Sequence, residues 1–323
     1  MKTLHSIPFF FGKEAVAGLD VGENYIAAAC LSPERDGHIK VEHLGWVDKR
    51  PDASLKVVAS LIKGLWRKNR ISTRTVSTCL HSPSLVLKYF KYSNLPSQEL
   101  ESTLRLEAEQ IFNKPQRELF IDWHLFSADS SARKEIVNGT QHGILFAVPG
   151  ETVKKQLSIL EMAGLYPVMM DVGCTATSNL FLKLRNPAPD NVHCLVNIAD
   201  HRADVSILSA GPFIYPRVIY SQAVSWSERL DYLIKNIEDI LRYYQFKLRR
   251  KPVNKLIFTG QLPANGGLQK EIKKALDLPV EFWNPLNELS LKRDIPDKKL
   301  QVLGPAMSVC LGLAMRREKS DEF

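Results

Sequence analysis

The stretch AVAGLDVGENYIAAACLS, residues 15–32, decides which fold we expect. An apolar segment ends in Asp20-Val21-Gly22 and turns at once into a second apolar segment, a pattern that predicts a tight β-hairpin. The tip of such a hairpin presents backbone N–H groups beside a carboxylate, an arrangement that can hold phosphate and a metal ion. A second stretch, VHCLVNIADHRADVSILSAGPFIYP at residues 192–216, repeats this plan with different residues at the tip.

The elements that follow the two hairpins also repeat, with strands before helices in each half. The longest predicted helix covers residues 227–251, where apolar side chains recur at helical spacing. A turn-rich segment, NPAPDN at 186–191, separates the two halves. We therefore predict a duplicated α/β protein with domains at residues 14–185 and 192–317.

Composition rules out several classes of protein. With 323 residues, 24% charged and 45% hydrophobic, the chain is an ordinary globular sequence with room for two domains. The apolar run from Leu303 to Met315 contains Pro305 and is too short to span a bilayer. The five cysteines form no CxxC pair and the eight histidines form no HExxH motif, so zinc is not indicated and the cysteines are expected to be structural free thiols.

The formal net charge of +8 is concentrated in the C-terminal part of the chain. Residues 228–323 contain 18 lysines and arginines against 13 acidic residues. Such a surplus suits an anionic lipid surface or an acidic partner, or is simply solvated. No interleaved pattern of basic and aromatic residues is present, so we expect no nucleic-acid binding.

Four segments together resemble one known family. They are GLDVGENYI in the first hairpin, LPSQELESTLRLEAEQIF at 95–112, FTGQLPANGGL at 258–268 and LGPAMSVCLGLAMR at 303–316. They are similar to the type IV pilus assembly protein PilM, a family of the actin-like ATPase superfamily related to FtsA. The resemblance implies a duplicated actin-like (ribonuclease H-like) two-domain α/β fold. It also implies a small α/β subdomain inserted in the first domain at about 83–146. The second-domain insertion is expected to be reduced or missing, because only residues 220–227 separate the second hairpin from the long helix.

The resemblance also implies a function. A PilM-like protein is a cytoplasmic scaffold at the inner face of the inner membrane, where it associates peripherally through its partners. It binds the N-terminal tail of the membrane protein PilN between its first two subdomains, and so links PilN and PilO to the pilus motor. The candidate partner-binding residues are Leu95, Leu104, Glu107 and Phe120. The three apolar residues could instead be core, and Glu107 an ordinary exposed carboxylate.

The family's ATP and Mg²⁺ site maps onto altered residues. The corresponding cofactor-binding positions are Asp20, Gly22, Asn197, Ala199 and Gly260, with Asp171 between the domains. Asn197 cannot supply a charged ligand for Mg²⁺, and Ala199 adds a Cβ where glycine would allow close backbone approach. We therefore expect a vestigial nucleotide site, with ATP and Mg²⁺ binding weak or lost. No catalytic residue can be assigned, so the sequence does not favour an enzyme.

Two alternatives remain open at this point. In the first, the chain is a functional ATP-binding protein in which Asp20, Asp200 and Asp204 regroup around a metal ion. In the second, it resembles the cytoplasmic domain of the type II secretion protein GspL. GspL continues into a transmembrane helix, whereas this sequence stops at residues 316–323 without one, and we expect the PilM-like form on that ground.

Overall fold

The structure of the protein is a computed structural model. It describes residues 16–34, 38–126, 140–188, 190–199, 201–208, 214–223, 225–261, 266–292 and 297–315. The outermost ends of the two predicted domains and Asp200 lie outside these ranges.

The first hairpin forms the centre of a mixed six-stranded sheet. Its strand order is β14-β3-β2-β1-β4-β8, with β1, β2 and β3 antiparallel and β4 and β8 parallel to β1. The strands are β1 (Ala17–Val21), β2 (Tyr25–Pro33), β3 (Ile39–Asp48), β4 (Thr75–Leu80), β8 (Tyr166–Val172) and β14 (Ser290–Leu291). Because β14 comes from the C-terminal half of the chain, this sheet joins both ends of the sequence.

The second hairpin forms the centre of a five-stranded sheet with the same plan. Its order is β11-β10-β9-β12-β13, and the first three strands are antiparallel while the last two run parallel to β9. The strands are β9 (His193–Ile198), β10 (Arg202–Leu208), β11 (Ile214–Tyr220), β12 (Lys255–Gly260) and β13 (Val280–Phe282). The order β3-β2-β1-β4-β8 therefore recurs as β11-β10-β9-β12-β13, as expected of a duplicated fold.

A third, three-stranded sheet lies between β4 and β8 in the chain. Its order is β5-β7-β6, with strands β5 (Val86–Ser93), β6 (Leu119–Leu125) and β7 (Thr140–Pro149). Helix α2 (Ser97–Phe112) covers one face, where Leu100, Leu104 and Ala108 pack against the apolar side chains of this sheet. This unit corresponds to the predicted inserted subdomain.

The remaining helices cover the two larger sheets. They are α1 (Leu55–Asn69), α3 (Gly150–Ala163), α4 (Gly173–Arg185), α5 (Trp226–Arg242), α6 (Gly266–Ala275), α7 (Asp297–Ala306) and α8 (Ser308–Ala314). Helix α8 is entirely buried, α4 is buried over most of its first nine residues, and the two helices pack against each other between the sheets. Their backbones approach so closely that a Cβ on Gly312 would overlap the carbonyl oxygen of Ala176. This contact fixes the relative position of the two sheets.

The connection that precedes α5 is short. Strand β11 ends at Tyr220 and α5 begins at Trp226, with the Ser225 hydroxyl accepting a hydrogen bond from the backbone N–H of Glu228. We predicted an uninterrupted helix over 227–251. The structure instead ends α5 at Arg242 and continues in a single wider π-helical turn over Tyr243–Lys247. This turn buries Tyr244 in the second-domain core, while Tyr243 and Phe246 remain exposed.

Candidate functional site

The first hairpin places a carboxylate at the boundary between the two larger sheets, which we call the cleft. Asp20 is fully buried, and its Oδ2 accepts a hydrogen bond of 2.7 Å from the hydroxyl of Tyr25. The Tyr25 ring folds back over the hairpin tip and stacks on Trp46, with ring centroids 4.5 Å apart. A Cβ on Gly22 would overlap the Tyr25 ring. Gly22 therefore makes room for a side chain of the protein itself.

Two residues at the end of β4 complete the surroundings of Asp20. His81 Nε2 lies 2.5 Å from Asp20 Oδ1, and Cys79 Sγ lies 3.4 Å from the same oxygen. Because a carboxylate only accepts hydrogen bonds, His81 carries the proton on Nε2. Burial raises the pKa of the Cys79 thiol well above its usual value, and the charge of Asp20 raises it further. Asp20, Cys79 and His81 have the ligand types of a zinc site. In this structure they contact one another as a hydrogen-bonded cluster.

The second hairpin faces the first across the cleft and also carries charged side chains. Arg202 and Asp204 are both buried, and Arg202 Nε lies 3.2 Å from Asp204 Oδ1. Asn197 Nδ2 donates a hydrogen bond of 3.2 Å to Asp204 Oδ2. Ala199 N donates to the carbonyl oxygen of Arg202 at 2.7 Å, which closes the hairpin turn. The backbone at this tip is therefore hydrogen-bonded internally.

Arg202 couples the two hairpins electrostatically. Burial alone would lower the pKa of the Arg202 guanidinium, but Asp204, Tyr25 and Asp20 together raise it above its usual value. Burial alone would raise the pKa of Asp20, but His81 and then Arg202 lower it below its usual value. One permanent cation from the second domain thus stabilises a buried carboxylate from the first.

The other predicted cofactor positions surround this cluster. Gly260 has φ +97°, and a Cβ there would overlap the backbone of Ile198, so this glycine serves the packing of β12 against the second hairpin. Asp171, at the end of β8, accepts hydrogen bonds from the backbone N–H of Val172 and from the hydroxyl of Thr175. These contacts hold the Asp171 side chain against the start of α4. The nucleotide-binding roles of Gly260 and Asp171 remain predictions.

Four residues of this site were not predicted from the sequence: Tyr25, Cys79, His81 and Arg202. Tyr25 and Arg202 follow the hairpin tips directly, and their side chains turn back toward the cleft. His81 follows a strand parallel to β1. The pattern Cys79-Leu80-His81 at the end of a buried strand was the available signal, because parallel neighbouring strands end at the same edge of a sheet.

The predicted partner-binding residues fall into different environments. Leu104 is fully buried beneath α2, and Leu95 packs against the same core. Glu107 Oε1 pairs with Lys88 Nζ at 2.5 Å, and its Oε2 accepts from the Tyr92 hydroxyl at 2.9 Å. Phe120 is 52% exposed on β6, on the sheet face opposite α2 and near the start of α3. Of the four, Phe120 offers apolar surface to a partner.

Two sheets of identical strand order, whose hairpins face each other across a cleft, define an α/β protein with the actin-like ATPase fold. The chain belongs to the family described as type IV pilus assembly protein PilM, whose pattern matches residues 18–220 and 229–318. Within the described ranges, no helix is both long and apolar enough to cross a membrane.

Solved structures share this fold at low sequence identity. A chain of a PilM-PilN type IV pilus biogenesis complex is 21% identical with a TM-score of 0.76, covering 94% of this chain and 99% of that one. The cytoplasmic domain of EpsL, an inner membrane component of the type II secretion system of Vibrio cholerae, is 13% identical with a TM-score of 0.52, covering 94% and 96%. A diol dehydratase-reactivating factor in nucleotide-free form is 8% identical with a TM-score of 0.50, covering 93% and 99%. No curated protein matches the chain.

Proposed function

We propose that this protein is a scaffold of a type IV pilus assembly machine that binds the N-terminal tail of a PilN-like inner-membrane protein. The observation that supports it most is membership of the PilM family together with the likeness to a chain of a PilM-PilN type IV pilus biogenesis complex. Through that tail it would be held at the inner face of the inner membrane. We further propose that it links PilN-like and PilO-like proteins to the pilus motor.

The open edge of the three-stranded sheet is the proposed binding surface. Both β5 and β6 are edge strands, but β5 contacts β11 of the second domain, and Arg217 Nη1 donates to the Leu87 carbonyl oxygen at 3.3 Å. Within the part of the chain that the structure describes, β6 therefore has the freer edge, and Phe120 lies on this strand. An extended peptide adding along β6 would gain backbone hydrogen bonds, and an apolar side chain could pack against Phe120.

Titration of a fluorescent peptide with the sequence of a PilN N-terminal tail tests the proposal. We expect saturable binding to the full chain at low salt, and loss of at least about tenfold in affinity for Phe120→Asp, because burying an aromatic ring contributes about 1.5–3 kcal/mol. Leu106→Asp is the matched control, since Leu106 is 54% exposed on α2. Absence of saturable binding would contradict the partner assignment. An equal loss of affinity in both variants would contradict the proposal that the peptide binds along β6.

We also propose that the cleft no longer depends on a nucleotide. Where the residues of an actin-like site would meet phosphate and Mg²⁺, Tyr25 covers the first hairpin tip and Arg202 supplies a cation near Asp20. The guanidinium would compete with a metal ion for the Asp20 carboxylate. This competition disfavours the alternative of a functional ATP-binding protein built on Asp20 and Asp204.

Calorimetric titration with ATP and Mg²⁺ tests this second part independently of the peptide. We expect no binding at low micromolar nucleotide concentration. Low-micromolar affinity that falls on Asp20→Ala would overturn the proposal of a vestigial site. It would leave the adaptor role untouched, because the peptide surface and the cleft use different residues.

A further inference from the structure

Part of the excess positive charge of the C-terminal half is concentrated in one segment, which has no role in the proposed function. The segment RYYQFKLRRK, residues 242–251, contains five lysines and arginines and no acidic residue. It covers the end of α5, the π-helical turn and the residues that follow. Arg249 has a left-handed backbone conformation, with φ 51°, which ends the helical path at this point.

Exposed aromatic side chains accompany these cations. Phe246 is 68% exposed, more than any other large hydrophobic residue in the described ranges, and Tyr243 is 44% exposed. Both project from the π-helical turn whose neighbour Tyr244 is buried. The Tyr243 ring stacks on Tyr215 with centroids 6.0 Å apart, so its position is fixed by the second-domain core. The turn therefore presents a rigid aromatic surface.

The cations beside these rings are only weakly engaged by the protein. Arg242 pairs with Asp239 at 2.7 Å, and Lys251 pairs with Asp190 at 2.7 Å, but all four side chains are mainly exposed. Exposed ion pairs of this kind contribute little to stability, so these cations can also interact with other anions. Lys247 and Arg249 are exposed on the same segment. The local charge is thus available to an external anionic surface.

We propose that residues 242–251 form a docking surface for an anionic lipid bilayer. Aromatic rings beside lysine and arginine are the combination that binds the interface of such membranes, because the rings enter the headgroup region while the cations attract anionic lipid. The partner follows from charge complementarity. Two of the five cations pair with Asp239 and Asp190, and the remaining positive charge would repel a basic partner. A single exposed phenylalanine has little apolar area for a stable protein interface.

Helix α1 provides an internal comparison. Its segment LKVVASLIKGLWRKNR, residues 55–70, also has five cations and no acid. Its aromatic residue Trp66 is buried, however, and the exposed apolar residue is Val57. A purely electrostatic attraction would use α1 as readily as residues 242–251. A surface that needs aromatic insertion would use only the latter.

Co-sedimentation of the full chain with lipid vesicles tests the proposal. We expect binding to vesicles of mixed phosphatidylglycerol and phosphatidylcholine, and none to phosphatidylcholine alone. Tyr243→Ser with Phe246→Ser should weaken binding by about tenfold or more, because the variant lacks the two rings whose partial burial in the membrane would stabilise the bound state. Lys247→Gln with Arg249→Gln should weaken it about fivefold per charge, the equivalent of about 1 kcal/mol each. Circular dichroism confirms that each variant is folded.

The matched control is Lys63→Gln with Arg67→Gln on α1, which removes the same charge from an exposed surface without aromatic residues. Binding of this variant should equal that of the unaltered chain. The proposal is overturned if the unaltered chain does not bind the anionic vesicles. It is equally overturned if the α1 variant loses as much binding as the Lys247 and Arg249 variant, or if the aromatic substitutions have no effect. Failure here would leave the peptide-binding proposal standing, because that proposal rests on β6.

Discussion

At the scale of single residues, Asp20 stabilises the cleft through its neighbours. Replacing Asp20 by Asn keeps the shape of the side chain but removes the negative charge that interacts with His81 and Arg202. Breaking a buried charged network in this way costs about 3–5 kcal/mol. We expect Asp20→Asn to lower the free energy of unfolding by that amount in urea denaturation. Asp190→Asn, which breaks an exposed pair with Lys251, should have a much smaller effect. Unchanged stability of Asp20→Asn would contradict this role.

The same carboxylate should make the fold sensitive to acid. His81 and Arg202 lower the pKa of folded Asp20 below its unfolded value of 3.8, against the effect of burial. A lowered folded pKa contributes stability that is present above the unfolded pKa and is lost as the pH falls through the folded one. Urea denaturation from pH 7 to pH 3 should show a steep loss below about pH 4. The loss should be shallower in Asp20→Asn, and parallel curves for the two proteins would contradict the assignment.

At the scale of elements, the crossing of α4 and α8 should tolerate no added atom. A Cβ on Gly312 would overlap the backbone of Ala176, so Gly312→Ala must push the helices apart. Overpacking of this kind costs about 1–3 kcal/mol, and we expect a loss in that range in chemical denaturation. The control is Gly64→Ala, because Gly64 lies inside α1 with no atom within 4 Å of the added Cβ. Gly64→Ala should gain up to about 1 kcal/mol from helix propensity. Equal effects would refute the crossing argument.

The hairpins and the repeated succession of strands and helices were predictable, because the hairpin strands are short apolar runs separated by turn residues. Asp20 and Asn197 were placed correctly at the ends of their strands for the same reason. The contacts that fill the cleft were not predictable, since they join His81 to Asp20 across 61 positions and set Arg202 against the other domain. The π-helical turn also escaped prediction, because the apolar spacing of an α-helix continues through Tyr244 and Leu248. Both the cleft contacts and the π-helical turn depend on tertiary packing, which the local sequence pattern does not reveal.

At the scale of the whole molecule, the two domains are joined by the crossing helices and by the charged cluster at the base of the cleft. The helices bury apolar surface in two core clusters that draw residues from both halves of the chain. The charged cluster helps to fix the position of one sheet relative to the other, because Arg202 interacts with Asp204 of its own sheet and with Asp20 of the other. A nucleotide performs this joining role when it binds across a two-domain cleft. In this protein the Arg202 side chain provides an electrostatic link between the two sheets.

This arrangement predicts that loss of Arg202 loosens both domains together. In Arg202→Met, Asp20 and Asp204 lose their shared cation, so both hairpins should open more often. Hydrogen exchange measured by mass spectrometry should become faster in peptides from β1–β2 and from β9–β10, without requiring a nucleotide. Arg242→Met, which removes an exposed arginine, should change neither region. Faster exchange confined to β9–β10 would show that Arg202 acts only within its own sheet, and the cleft would then be held by the helix crossing alone.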